Sequence, residues 1–177
     1  HEEIEEDIMR LGGVREDDLY EAAMETTRSR FSWLLVNLGT AIVASIVISL
    51  FEGTLEEIVA VAILMPIVAS MGGNAGTQTM TVTVRALAMK ELSATNSMRV
   101  VWKEILVGGV NGIVFAILTG VVTWLWFGNT SLGIVIAMAM VVNMIVAGIA
   151  GTTIPLLLDR AGADPAVASG VFLTTIT

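Results

Sequence analysis

The chain reads as long uncharged runs separated by short charged or turn-forming breaks. The first run, residues 31–51, holds 21 residues without a charge, enough for one helical crossing of a hydrocarbon layer ~30 Å thick. Trp33 stands near its start, where interfacial aromatics gather. Residues 52–57 form a short acidic connection, and residues 58–84 give 27 further uncharged positions. Residues 85–103 are a basic loop, or a helical extension followed by a loop. The 54 uncharged residues from Ile105 to Leu158 are too many for one crossing. Phe127-Gly128-Asn129-Thr130-Ser131 divides them at turn-forming residues, beside an aromatic belt of Trp124 and Trp126. Spans are therefore expected near 31–51, 58–84, 105–126 and 132–158, with Pro155 close to the end of the fourth. After a short loop at 159–164, residues 165–177 are uncharged but only 13 long, an incomplete fifth span.

Ahead of the first run, residues 1–30 are charged and helix-forming. Ile4, Ile8 and Leu11 make one apolar stripe that Gly12-Gly13 interrupts. Asp18 with Glu21 resembles a capping pair opening a second helix over Leu19–Arg30. Glu2, Glu3, Glu5, Glu6 and Asp7 crowd together and repel one another, so this leader is either a solvated face or part of a cation-sensitive gate.

The second span departs from the plain apolar pattern. Between Pro66 and Arg85 it carries Gly72, Gly73 and Gly76, Asn74 and Gln78, and Thr77, Thr79, Thr81 and Thr83. Gly73, Thr77 and Thr81 recur every four residues and share one helix face, with Asn74 and Gln78 on the adjacent ridge. Pro66 removes a backbone donor and is a candidate kink. Polar groups in hydrocarbon face a partner helix or a water-filled path. The oxygens offered are those that hard cations such as magnesium prefer. Small residues and threonines also line plain helix–helix interfaces in membranes, and spacing alone does not choose between the two. In the fifth segment Gly170 and Thr174 share a face in the same way. Asp164, just before Pro165, suits a helix N-cap and equally a cation-attracting carboxylate at a pore mouth. Asp159 and Glu104 read as surface or interfacial charges, and Asn111 and Asn143 as inter-helix hydrogen-bonding groups.

Composition agrees with a membrane protein: 55% of the 177 residues are hydrophobic and the mean hydropathy is +0.81. The net charge is −8, and ten of 17 acidic residues precede Phe31, so the apolar part is nearly uncharged. With no cysteine there is no disulfide or thiolate site, and the one histidine is residue 1. No His-rich metalloprotease motif, no pair of intramembrane carboxylates, no serine triad and no nucleotide-binding loop is present, so an enzyme is not expected. Arg28 and Arg30 precede the first span, Arg85, Lys90, Arg99 and Lys103 follow the second, and Arg160 follows the fourth. All lie on one side, which the positive-inside rule makes the cytoplasm. A multi-pass protein of the cell membrane with a cytoplasmic amino terminus is expected.

Two motifs in order carry a resemblance. Pro66 followed by Gly72-Gly73-Asn74-x-Gly76-x-Gln78 and Val84-Arg85-Ala86-Leu87-Ala88, then Asp164-Pro165-Ala166, Ser169-Gly170 and Thr174-Thr175-Ile176-Thr177, resemble the MgtE family of magnesium channels. The resemblance covers essentially the whole chain, as that family's membrane domain with its preceding connecting helix. It implies an all-α, polytopic transmembrane helical bundle of five spans, the fifth truncated here, lying in membrane lipid. It implies Mg2+ as the transported ion and a possible regulator, a homodimer with the pore formed by the second and fifth spans, and no nucleic-acid partner. Gating would come from the cytoplasmic side through sensor domains that would precede residue 1. Gly73, Asn74, Thr77, Thr81, Gly170 and Thr174 become candidate pore-lining residues. Gly73, Asn74, Thr77 and Asp164 become candidate metal contacts, and Pro66, Gly72, Gly76 and Gln78 packing or kink positions. An aspartate that follows the Thr-Thr-x-Thr run in the family, and holds magnesium largely through its waters, would fall at position 178; Gly170 also departs from a polar residue found in some relatives. A secondary transporter coupling a divalent cation to another ion, and a non-transporting membrane assembly module, remain as alternatives.

Overall fold

The computed structural model describes residues 23–92 and 96–177. The described chain forms six helices: α1 (Ala23–Ser49), α2 (Glu52–Glu57), α3 (Val59–Ala88), α4 (Ser97–Phe127), α5 (Thr130–Arg160) and α6 (Pro165–Ile176). No strand occurs among the described residues, and α1, α3, α4 and α5 are each long and apolar enough to cross a membrane. The fold is an all-α polytopic bundle. The apolar stripe at Ile4–Leu11, the Gly12-Gly13 break, the Asp18–Glu21 pair and the five leading acids lie outside the described residues.

The four long helices extend past their expected spans at one end or both, whereas α6 stays within its own. The helix expected to end at Arg30 is continuous with the first span, and α3 continues through Arg85 to Ala88. α4 begins seven residues before Lys103-Glu104 ends. The uncharged runs marked only the hydrocarbon-length part of each helix, whereas good helix formers and long basic side chains let the helices extend past it. The acidic connection at 52–57 is itself a short helix.

Local chemistry fixes the turns. Gly128 closes α4 with φ 64°, a left-handed conformation that glycine adopts without penalty, and its N–H donates to Trp124 O. Asn129 caps α5, its side chain accepting from Leu132 N at 3.1 Å. Two residues thus reverse the chain, so α4 and α5 form a tight antiparallel hairpin.

Glycines set how close the helices come. A Cβ at Gly108 would stand 2.7 Å from Met144 O, one at Gly133 2.9 Å from Gly120 O, and one at Gly148 2.9 Å from Glu104 O. α4 and α5 therefore meet backbone to backbone, the packing that replaces the hydrophobic effect inside a membrane. α3 lies against the other side of α5: a Cβ at Gly151 would stand 2.7 Å from Gly76 O. α6 closes this groove, with Leu173, Ala166, Met80, Val84 and Ala150 forming one buried cluster. Met140, Met144 and Ala116 fill the middle, and Leu64, Leu132 and Ile136 the end opposite the basic residues. α1 is peripheral. It packs on α6, has no buried residue among those described, and exposes Leu34, Leu38, Ile42 and Ile46. Such an apolar exterior matches hydrocarbon, and the chain is a multi-pass membrane protein.

Candidate functional site: a hydroxyl-lined cavity between three helices

α1, α3 and α6 border an open cavity of about 340 Å³ lined by Trp33, Asn37, Thr77, Met80, Thr81, Gly170 and Thr174. Four of the six candidate pore residues, Thr77, Thr81, Gly170 and Thr174, are thus brought together from segments almost a hundred positions apart. Gly73 lies on the same face, its nearest neighbour being Thr177 Oγ1, 3.9 Å from where a Cβ would be. Asn74 is exposed beside this face rather than in the cavity.

The hydroxyls are oriented by their own helices. Thr77 Oγ1 donates to Gly73 O and Thr81 Oγ1 to Thr77 O, both at 2.8 Å. Thr174 and Thr175 donate to Val171 O at 3.0 and 2.9 Å, and Thr177 to Leu173 O at 3.0 Å. A threonine hydroxyl has one proton and two lone pairs. With the proton committed to a backbone carbonyl, each oxygen turns lone pairs outward. The wall therefore accepts hydrogen bonds or ligates a cation, and repels an anion. Three of these neutral acceptors, Thr77, Thr81 and Thr174, line the cavity from two helices, while Thr175 and Thr177 line its larger neighbour; such oxygens suit a hard ion or its water shell.

α3 carries more polarity than this cavity uses. Ser70, Asn74, Thr77, Gln78, Thr81 and Arg85 are exposed along one side of it. Gln78, expected at a packing contact, is among them, because the faces of α3 toward α5 and α6 are taken by Gly72, Gly76, Thr79 and Met80. Gly72 and Gly76 do sit at packing contacts: Asn143 Cγ and Oδ1 would lie 2.6 and 2.7 Å from a Cβ on Gly72, and Leu173 Cδ1 2.7 Å from one on Gly76. Asn143 Nδ2 donates to Val68 O at 2.6 Å, joining α5 to α3 as an inter-helix bond. Pro66 lies within an unbroken α3 and lines a second, larger cavity of about 690 Å³ between α1, α3, α5 and α6. That cavity is walled mainly by Val43, Val47, Met65, Val135, Ala139 and Ile176, with Asn143, Thr174, Thr175 and Thr177 supplying its polar groups.

Asp164 stands apart from the cavity. Its Oδ1 accepts from Ala166 N at 2.9 Å, with Pro165 in the first turn, so it caps α6. Ten residues separate it from Thr174, about 15 Å of helix. It does not join Gly73, Asn74 and Thr77 in one metal-contact group, because those residues lie farther along the bundle. Among the described residues no three His, Cys, Asp or Glu side chains come together as a resident metal centre.

Two further expectations are corrected. Asn111 is exposed on α4 and makes no side-chain hydrogen bond among the described residues, since Gly108, Gly112 and Ala116 occupy the face toward α5. Glu104 is no surface charge: its side chain is 13% exposed, and Oε2 accepts from Thr79 Oγ1 at 2.9 Å. Asp159 is exposed, as expected. The sequence reading also missed Asn37, whose signal was a polar residue one turn after Trp33 in an otherwise apolar run.

Comparison with known proteins agrees with this architecture. The MgtE family, described as a divalent cation transporter, matches residues 65–177. The magnesium transporter MgtE of Enterococcus faecalis is 37% identical over 176 residues, that of Bacillus subtilis 33% over 175, and that of Thermus thermophilus 35% over 179. Each alignment covers 98–99% of this chain, whereas the chain spans about 39% of the length of each relative. Those relatives are named for transport, not catalysis. The chain belongs to the MgtE family of divalent cation transporters.

Proposed function

We propose that this chain forms the membrane-spanning, ion-conducting part of a magnesium channel or transporter, in which Mg2+ moves along the face made by α3 and α6. The observation that carries the reading is the cavity that unites Thr77 and Thr81 with Gly170 and Thr174, with the hydroxyl lone pairs turned into it. Neutral oxygens suit an ion that keeps most of its water, because magnesium dehydrates reluctantly.

The exposed polar side of α3 supports a homodimer. An amide or hydroxyl left unsatisfied in hydrocarbon costs roughly 2–7 kcal/mol. Ser70, Asn74 and Gln78 in a lipid-facing position would be a large penalty, whereas against a second copy they would line a hydrated path. Gly73, Asn74, Thr77, Thr81, Gly170 and Thr174 then line the pore, with Gly73, Asn74 and Thr77 nearest the ion. The basic ends of α3, α4 and α5 put the amino terminus in the cytoplasm, and gating acts from that side, through the region before α1.

The test is Mg2+ flux in proteoliposomes. Thr77→Val and Thr81→Val keep side-chain volume and remove the oxygen. Each is expected to lower flux about fivefold to tenfold, the worth of one lost oxygen contact of ~1–1.5 kcal/mol, with membrane insertion intact. Unchanged flux in both reduces the face to a dimer seam. A strict dependence on a counter-ion or proton gradient makes the protein a coupled carrier.

A further inference from the structure

Glu104 is a carboxylate enclosed among helices but remote from the ion-facing wall. It lies seven residues inside α4, and its side chain is only 13% exposed. Its Oε2 accepts the Thr79 hydroxyl at 2.9 Å. Lys103 Nζ stands 3.9 Å from Oε1, but that lysine is 70% exposed, so the pair contributes little. An enclosed carboxyl group in a membrane is costly unless hydrogen-bonded, and the Thr79 hydroxyl supplies that bond. The contact is therefore one the bundle is built to keep.

Its position explains what it holds. Gly148 and Gly151, on consecutive turns of α5, admit the backbones of α4 and α3: a Cβ would stand 2.9 Å from Glu104 O in one case and 2.7 Å from Gly76 O in the other. Three helices meet at this level, and the Glu104–Thr79 bond ties two of them across the third. Thr79 lies two residues from both Thr77 and Thr81, a rotation of ~200° around α3. The tie thus grips the side of α3 opposite its ion-facing hydroxyls. Thr83 Oγ1, one turn on, is buried and donates to Thr79 O at 2.9 Å, so the gripped side has no spare hydroxyl to replace the bond.

We propose that Glu104 is a positioning residue for Mg2+ passage: by accepting the Thr79 hydroxyl it fixes the rotation of α3 that turns Thr77 and Thr81 toward the ion. The inference rests on the reading of α3 as ion-facing. Its test separates the two. The chain has no cysteine, so Thr81→Cys provides a single thiol whose rate of modification by a water-soluble methanethiosulfonate reports where that face points. Rates in the reconstituted protein are measured beside Mg2+ flux in the cysteine-free forms.

Glu104→Ala and Thr79→Val are each expected to change the modification rate about threefold or more and to lower flux about fivefold, the scale of one lost hydrogen bond. Glu104→Gln keeps an acceptor and Thr79→Ser keeps the donor, so both are expected to stay within about twofold of the parent on both readouts. Parent-like rates in Glu104→Ala and Thr79→Val overturn the proposal, whatever their flux. So does a Glu104→Gln protein as impaired as Glu104→Ala. If Glu104→Ala fails to assemble, Thr79→Val against the parent decides alone, since valine keeps the shape of threonine and lacks only the hydroxyl. A rate change in Thr79→Val together with unchanged flux in Thr77→Val and Thr81→Val overturns the ion-path reading, and with it any role of Glu104 in passage.

Discussion

Gly151 is the position where the packing of α3 on α5 is most directly measurable. A methyl group there would meet Gly76 O at 2.7 Å, Thr79 Cβ at 2.9 Å and Thr79 Cγ2 at 3.1 Å. An ordinary carbon–oxygen contact is about 3.3–3.6 Å, so Gly151→Ala forces the helices apart by roughly half an ångström or more. The obstacle is a backbone carbonyl held in a helix, which cannot rotate away. Overpacking of this kind costs about 1–3 kcal/mol. Alanine returns up to about 1 kcal/mol in helix propensity, which leaves a net loss of roughly 1–2 kcal/mol. For a chain of this size that lowers the melting temperature by about 2–8 °C. Thermal unfolding in a single detergent, read by circular dichroism, measures it. Gly109→Ala is the internal control, because nothing lies within 4 Å of a Cβ there; that variant should melt at or slightly above the parent temperature. If Gly151→Ala matches Gly109→Ala, the close approach of α3 and α5 is wrong.

Further outcomes follow from the same geometry. Gly72→Ala should destabilise, because its methyl meets the Asn143 amide, and Asn143→Ala should destabilise by about 1–2 kcal/mol through loss of the bond to Val68 O; the double variant should be milder than the sum, since the new methyl occupies the vacated space, and strict additivity in thermal melts would refute the contact. Thr123 is 1% exposed and its hydroxyl has no partner among the described residues, so Thr123→Val should raise stability by about 1 kcal/mol, and a lower melting temperature would show that the hydroxyl is satisfied.

What was legible in the sequence was what local chemistry decides. The four crossings follow from uncharged length, the α4–α5 reversal from Gly128-Asn129, and the start of α6 from Asp164-Pro165. The shared face of Gly73, Thr77 and Thr81 follows from helical period, as does that of Gly170 and Thr174. What stayed hidden is pairing at long range. Thr79 and Glu104 are 25 residues apart, and nothing in either segment's period says that this threonine turns away from its neighbours to meet that carboxylate. Glu104 looked like a boundary charge because it adjoins Lys103, yet a continuous α4 carries the two into different surroundings, one exposed and one enclosed. Asn111 and Asn143 look alike in sequence, each a lone amide in a span. Only the partner face separates them: the α5 residue looks across at a glycine on α3, whereas the α4 residue is displaced by glycines that already fill its helix contact.

The same reasoning gives Asp164 a decidable role. Its carboxylate caps α6 through Ala166 N, and a cap of this kind is worth about 1 kcal/mol. A carboxylate at a helix N-terminus also gains about 0.3–1 kcal/mol from the helix dipole. Neither contribution requires an ion. Asparagine caps nearly as well as aspartate, so Asp164→Asn removes the charge and keeps the cap, whereas Asp164→Ala removes both. Because Asp164 lies outside the cavity of Thr77, Thr81, Gly170 and Thr174, it can act on the ion only through its field. Such a field is screened over ~8 Å at physiological salt. Asp164→Asn should therefore keep nearly the parent melting temperature, and its Mg2+ flux should match the parent near 0.15 M salt and fall only at low ionic strength. Asp164→Ala should lose about 1 kcal/mol of stability at either salt concentration. Equal loss of flux in the two variants at physiological salt would mean that the carboxylate meets the ion directly, and that the ion path reaches the amino-terminal end of α6.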